Sequence, residues 1–501
     1  MSPDMMDRMP VTMSRNSGRV ATGMREGRAT MIALLLMTMA GCASIPPVPN
    51  SVQAPRLAEH FANGAADGGR VDASERWWHS FGDPVLDRLV EQSLAANLDV
   101  RVAVARIAQA RARSHAAVAE RRPEVDAGLA VGGQRNSAYQ IGFDQPATSA
   151  AFDGAISVSW EPDLFGRFAS GIRAANEDVV ATQEDMRAAR IAVAAEVAGT
   201  YIAVRGLDRR LAILRDSLDS EKQTVTHMRF MFEAGTANRG DLDRAEAQLA
   251  STTAGIPPLE RERALAVDRL SVLVASTPQD IIAILASASD IQVPLPDLAP
   301  GVPADLLRSR PDVKAAEARL LAAYARIGIA EADLKPRLQL SGLVGSLVDA
   351  FSGVGFARSI EWLATASGTA PLFDGGRRRS IVDLRRADAE EARLHYQSAV
   401  LAAVQDVEDA LAARTRDAET CGSLETAAAR MRGATQETEA SWQAGVAPVL
   451  DLLDARRAQL AAEDRLAQAD TMLLRDQVAL YAALGSDGPV AGAAHPGERQ
   501  P

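Results

Sequence analysis

Asn97-Leu-Asp-Val-Arg-Val-Ala-Val-Ala-Arg-Ile107 is answered further along the chain by Arg310-Pro-Asp-Val-Lys-Ala-Ala-Glu-Ala-Arg-Leu320, residue for residue at a constant offset. Pro123 and Pro336 keep that offset, and each closes its helix, because proline removes a backbone donor. Leu164-Phe165-Gly166-Arg167 corresponds to Leu372-Phe373-Asp374-Gly375-Gly376-Arg377. Ala234-Gly235 followed by Asp241-Leu242 corresponds to Ala444-Gly445 followed by Asp451-Leu452. A unit of about 210 residues is far longer than a solenoid repeat of roughly 20–50. Two such units imply a duplicated half-body, the first over 77–275 and the second over 304–485, with a linker over 276–303 and a tail over 486–501.

Each half is written in the same internal order. A helix of about 20 residues (97–121; 312–333) precedes a segment with strand character. A very long helix follows (about 168–233; 376–440), then a tight glycine turn and a return helix (about 240–275; 447–484). Val197, Val204, Leu211, Leu218, Val225 and Phe232 recur every seven residues in the first half. Leu453, Leu460, Ala467, Leu474 and Tyr481 do so on the last helix of the second. A seven-residue apolar period keeps one seam against a partner and imposes a left-handed supercoil. At 1.5 Å per residue a helix of about 65 residues reaches roughly 95–100 Å. Two antiparallel coiled-coil hairpins per chain result, with turns near 235 and 445 where glycine accepts the left-handed conformation.

Strand candidates lie between the first two helices of each half, at about 125–135 and 154–162, then 337–348 and 359–371. Ile156, Val158 and Trp160 share one face and Ser157, Ser159 and Glu161 the other; Val125, Ala127, Leu129 and Val131 alternate with Asp126, Gly128, Ala130 and Gly132. Leu338-Gln-Leu-Ser and Ile360-Glu-Trp-Leu-Ala-Thr-Ala-Ser repeat the pattern. Such alternation over about ten residues is the signature, weak per segment, of a transmembrane barrel strand. Four strands cannot close a barrel when the smallest need about eight. Either they form a small soluble sheet, or several chains each contribute four.

The N-terminus sets the compartment. Arg25 and Arg28 precede the apolar run Met31 to Ala40, then Gly41-Cys42. A basic region, about ten apolar residues and small residues before the break describe a secretory signal over 1–41, with Met24 a plausible true start. Cys42 after Ala40-Gly41 resembles a bacterial lipobox, with Met39 where leucine is usual. That resemblance implies a diacylglycerol and palmitate anchor on Cys42 and no other cofactor; a buried structural cysteine is the alternative. Ala43, not aspartate, follows, as expected of a lipoprotein sent to the outer membrane. Residues 42–76, rich in Pro, Gly and Ala after Ser44, read as a tether. The net charge of −11 comes without blocks of like charge, which argues against nucleic acid.

Trp77-Trp78 with Phe81-Gly82-Asp83-Pro84, Trp160-Glu161-Pro162-Asp163-Leu164-Phe165-Gly166-Arg167, Leu306 to Val313, Pro371 to Gly376, and Ala444-Gly445 through Leu450 to Ala455 occur in this order. Together they resemble the TolC-like outer-membrane factors of tripartite efflux systems, in the lipoprotein branch paired with RND-type proton-driven pumps. The resemblance spans about Trp77 to Gly485. It implies a mainly α chain with a transmembrane β part and a homotrimer. Twelve strands, four per chain, would close one β-barrel in the outer-membrane lipid, and the coiled-coil hairpins would form a trimeric α-barrel through the periplasm. A belt around its middle would include 276–303 and the C-terminal tail. Two departures stand out: Gly240 replaces an apolar residue beside the first turn, and Pro257-Pro258 interrupts the first return helix, a break expected near the belt.

Leu450, Asp451, Asp454 and Arg457 place Leu450 with Asp454 and Asp451 with Asp454 on shared helical faces. The resemblance makes these residues, with Trp442, a periplasmic gate: inward-facing rings of carboxylates that repel unless arginine or cations pair with them. A solvated pair favoured by the helix dipole is the plain alternative. Ala234, Gly235, Ala444 and Gly445 would be the tips that dock a periplasmic adaptor protein, with both alanines packing; an ordinary interhelical turn is the other reading. His60, His79, His115, His227, His395 and His495 show no metal-ligand spacing, Cys421 reads as a buried or semi-buried helix residue, and no catalytic constellation is present. The reading is a passive exit duct for drugs or metal ions, not an enzyme. Type I protein secretion is the runner-up, and a non-pore coiled-coil lipoprotein the third, which has no need of strands carrying Trp160 and Trp362.

Overall fold

The computed structural model describes residues 57–63, 76–136, 147–286, 310–351 and 355–485. The signal, Cys42, most of the linker and the tail 486–501 lie outside them. The described chain is mainly helical with four strands. It divides into two compact units, one joining Arg121–Ser170 to Gly328–Arg379 and the other taking the remaining described residues.

The first unit carries β1 (Glu124–Asn136), β2 (Ala147–Trp160), β3 (Arg337–Phe351) and β4 (Gly355–Thr369), antiparallel throughout in the order β1-β2-β3-β4. Strand β2 starts earlier than the alternation alone suggested, and ends at Trp160 rather than 162, because Pro162 cannot donate to a ladder. Strand β4 likewise starts before residue 359 and stops at Thr369, ahead of Pro371. Register places Ala127, Ile156, Val344 and Trp362 in one row across all four strands. Ile156, Val344 and Trp362 are exposed there, as are Val125, Leu129 and Ile360 of the same face. The neighbouring row, on the opposite face, reads Asp126, Ser157, Leu343, Leu363, two polar residues followed by a leucine pair. Strands β1 and β4 are its edges.

The second unit begins with a 3₁₀ turn, Trp77–Phe81, and helix α1 (Pro84–Ala96). Gly82 sits at φ 63°, a left-handed stop, and Asp83 caps α1 by accepting from the Val85 and Leu86 amides at 2.8 and 3.3 Å. Its second oxygen accepts from Tyr201 Oη at 2.6 Å. Burial and that hydrogen bond to a carboxylate push the Tyr201 phenol upward. Trp77 stacks on Tyr481 at 5.3 Å, so the Trp77-to-Pro84 segment is the inner wall of the largest core.

The helices are α2 (Leu98–Glu120), α3 (Arg167–Glu233), α4 (Arg239–Ala254), α5 (Ile256–Val274), α6 (Pro278–Leu285), α7 (Pro311–Ala332), α8 (Arg377–Gln443) and α9 (Val449–Ala483). Val197, Val204, Leu211, Leu218 and Val225 are buried along α3, as the heptad requires; Phe232, at the helix end, is exposed beneath Arg239. On α9, Leu453, Ala467 and Tyr481 are buried. Helix α3 is tied to α5 by Arg263–Asp208 at 2.5 Å, and to α9 by Arg210–Asp464 at 2.6 Å. Helix α9 is tied to α8 by Arg432–Glu463 at 3.0 Å. The return helix of the first half is divided at Gly255, just before Pro257-Pro258. Part of the linker folds: Thr277 and Asp280 form a capping box that starts α6.

One reading changes. The 42–76 segment is not tether throughout, because Phe61 is buried among Val407, Leu411, Leu480 and Leu484, and the Ala62 and Asn63 amides bracket Glu408 at 2.6 and 3.0 Å. Arg310-Pro311-Asp312 is a structural clamp. Arg310 donates Nη1 to the Ala483 carbonyl at 2.9 Å, satisfying an end of α9, and Nη2 to Asp312 and Asp406 at 2.7 and 2.8 Å.

Candidate functional site

The two hairpin turns are built alike. Gly235 (φ 76°) follows α3, and the Thr236 and Ala237 amides donate to the Met231 carbonyl at 2.9 and 3.2 Å. Gly445 (φ 73°) follows α8, and the Val446 and Ala447 amides donate to the Ser441 carbonyl at 2.9 and 3.2 Å. A residue other than glycine is strained at such φ, which is why both turns carry it. Ala234 and Ala444 were expected to pack, but both are exposed. The turn carries the chain back toward the helix two residues after the glycine, so Ala237 does that packing, against Val225, Met228, Leu242, Ala245, Val449 and Leu453. That cluster joins α3, α4 and α9, so both tips share one core.

Leu450, Asp451, Asp454 and Arg457 occupy the first turns of α9, and all four side chains are exposed. Asp454 pairs with Arg457 one turn on. Asp451 has no side-chain partner among the described residues. Trp442 is separate from these: half-buried, it packs on the tip core and meets His227 edge-on at 5.0 Å.

The tips differ in how their return helices are capped. Asn238 caps α4 by accepting from the Asp241 amide at 2.9 Å while its own amide donates to Asp241 Oδ2 at 2.6 Å; Arg244 adds a contact to Asp241 at 3.3 Å. Pro448 stands at the N-cap of α9 and has no side-chain acceptor to offer. The first tip is therefore closed locally by hydrogen bonds that the second lacks.

Arg456 is the residue the pattern reading passed over. Neighbouring Arg457 points to solvent, but Arg456 is buried and donates Nη1 to the Ser220 carbonyl at 2.7 Å and Thr224 Oγ1 at 2.5 Å, and Nη2 to Glu439 at 2.8 Å. It joins α9 to α3 and α8 just behind the second tip. The signal was present: Val449, Leu452, Leu453 and Arg456 follow the i, i+3, i+4, i+7 stripe of a buried face, with arginine in the last place. Close by, Glu221 is buried and accepts from Thr252 Oγ1 at 3.0 Å. Burial pushes its carboxyl up, against the pull of Thr252, Gln248, Ser217 and Arg456. Cys421 is buried and donates to Asp470 at 3.0 Å. Burial and that carboxylate push the thiol up to about 12, the opposite of a reactive cysteine. No metal-binding cluster occurs among the described residues.

Paired helix hairpins and a small sheet with one apolar face are the parts of an outer-membrane channel subunit. The family described as outer membrane efflux protein matches residues 89–276 and 302–486. Nodulation protein T of Rhizobium leguminosarum bv. viciae is 32% identical over 460 residues, spanning 92% of this chain and 93% of that protein. Outer membrane protein OprJ of Pseudomonas aeruginosa is 32% identical over 468 residues, spanning 92% and 96%. The solved outer-membrane channel OprN matches with a TM-score of 0.79 at 32% identity, over 87% of this chain and 98% of that one. The chain belongs to the outer membrane efflux protein family. It is an outer-membrane protein of an efflux system, and the family is a non-enzymatic transport component.

Proposed function

We propose that three copies of this chain form one duct, a shared twelve-stranded barrel continued by a helical barrel, through which a periplasmic adaptor and an RND-type pump export small molecules. The observation that carries it is the sheet: four strands with an exposed apolar face and two unpaired edges. In water that face and those edges are liabilities; in a lipid-embedded closed ring both are satisfied. A coiled-coil spacer without a pore leaves them unexplained. The element order of each half, helix, two strands, 67-residue helix, turn and return helix, supports a duplicated body. The Cys42 acyl chains would add membrane affinity to that of the barrel.

The tips at Ala234-Gly235 and Ala444-Gly445 are the proposed adaptor contacts. The second is the proposed gate, with Leu450, Asp451, Asp454 and Arg457 around the axis and Trp442 fixing the turn behind them. The missing side-chain cap at Pro448 supports the second hairpin as the one that moves. Replacing Asp451 and Asp454 together by alanine removes a carboxylate ring and the Asp454–Arg457 pair. Planar-bilayer conductance should rise several-fold and cation preference fall. Asp241→Ala, at the capped first tip, is the control and should change neither. Unchanged conductance and selectivity in an intact trimeric double variant would place the constriction elsewhere.

A further inference from the structure

Helices α3 and α8 are each 67 residues long and begin 210 residues apart, at Arg167 and Arg377. The short helices that pack on them correspond as well, α2 on α3 and α7 on α8. Ile107 of α2 packs on Met186 of α3, and Leu320 of α7 packs on Tyr396 of α8. Helix α7 also has a second neighbour: Arg326 donates to Asp178 of α3 at 2.6 Å, and Arg319 pairs with Asp185. Ala315, Ala318, Ala322 and Ala325 of α7 are buried. The corresponding residues of α2, Val102, Ala105, Gln109 and Ala112, are all exposed, Val102 to 48% where Ala315 is at 0%. Helix α8 shows the complementary deficit, with Leu384 at 54% where Ala174 of α3 is at 4%.

The sheet unit repeats this imbalance independently. Phe165 is half-buried in a cleft with Ala332, Pro336 and Leu338, beside Leu164 at 39% exposure, whereas Leu372 and Phe373 are 96% and 92% exposed. Each half thus carries a surface that is covered once within the chain and left open once.

We propose that α8 of one copy receives the open face of α2 from a second copy, with the second copy's Arg113 bonded to Asp388 as Arg326 is bonded to Asp178 within a chain. This rests on the trimeric reading above and adds the residues that set the seam. Among the described residues of one chain, Asp388 pairs only with Arg385, one turn away at 3.0 Å. Arg113 is exposed and lines a groove of about 300 Å³ over α3 beside Asp178, Asp185 and Arg319. The matching second rung is absent. His395 and Arg106 stand where Asp185 and Arg319 pair, so the seam holds one arginine–carboxylate rung where the interior contact holds two. A single charge reversal therefore removes its charge complementarity.

The test uses the full-length protein in mild detergent. With Arg113→Cys and Asp388→Cys combined, a short bismaleimide should yield covalent dimers and trimers on denaturing gels. Asp178→Cys with Arg326→Cys should stay at monomer size. Arg113→Asp or Asp388→Arg alone should lower the recovered trimer at least several-fold, and the two together should restore it. A trimer whose 113/388 pair does not cross-link between chains, or whose single reversals have no effect, overturns this seam and leaves the trimeric reading standing. A monodisperse monomer from the unaltered protein overturns both.

Discussion

Asp476 of α9 lies buried against Asp417 of α8, and burial with that neighbouring carboxyl pushes Asp476 up to about 6. Arg475 pulls the other way without reversing it, and one Asp476 oxygen is buried with no hydrogen-bond partner. A carboxyl whose folded pKa exceeds its ordinary 3.8 holds its proton more tightly folded than unfolded. Its contribution is fully present below about pH 4 and is lost as pH rises through about 6. Asp476→Asn keeps the shape and removes the charge. The variant should therefore unfold later than the parent at pH 8, by roughly 1–3 kcal/mol, and match it at pH 4. Thermal unfolding at both pH values reads this out, and equal gains at both would show that charge is not the cause. Periodicity exposes nothing of such a pair, since a heptad marks which positions are buried but not which carry a proton. Arg456 was at least visible as a break in an apolar stripe; Asp476 had no mark at all.

At the scale of elements, α3 and α9 approach closely at Gly206. A methyl there would lie 2.8 Å from Thr471 Cγ2 and 3.1 Å from Thr471 Cβ, closer than side chains pack. Gly206→Ala should separate the helices locally and cost about 1–3 kcal/mol, and adding Thr471→Ala should recover most of it. Thermal or denaturant unfolding of the single and double variants measures the coupling; additive losses would mean that the two sites do not touch. The long helices, their turns and the heptads were legible because a rod states its period many times over. Strand ends were less so: β2 and β4 begin before any alternation is visible, since Ala, Ser and Gly carry little facial preference. The packing of Phe61 and the Arg310 clamp escaped notice because each joins segments hundreds of residues apart, and no local spacing announces such contacts. Both hairpin turns hold glycine at positive φ. The packing residue was misassigned, because the left-handed step moves the inward position from Ala234 to Ala237.

For the whole molecule, the decisive question is which side of the sheet meets lipid. Register puts Trp362 in the row with Ala127, Ile156 and Val344, and Thr365 on the other face, opposite Ser341. Both side chains are exposed within a single chain, so water alone does not distinguish them. A closed barrel in a bilayer does. An arginine on the lipid face costs about 2–4 kcal/mol near the midplane, while one facing a water-filled lumen costs little. Trp362→Arg should accordingly lower the amount of assembled trimer extracted from outer membranes several-fold. Thr365→Arg should assemble normally and instead shift single-channel selectivity toward anions. The leucine pair Leu343 and Leu363 lies on the Thr365 face, so Leu363→Arg should follow Thr365→Arg, although leucine is the more apolar residue. Membrane fractionation with native gels gives the first quantity and planar-bilayer recording the second. If Trp362→Arg assembles as well as Thr365→Arg, the apolar face is not in lipid. The sheet would then have to cover it some other way, and the shared barrel would fall with it.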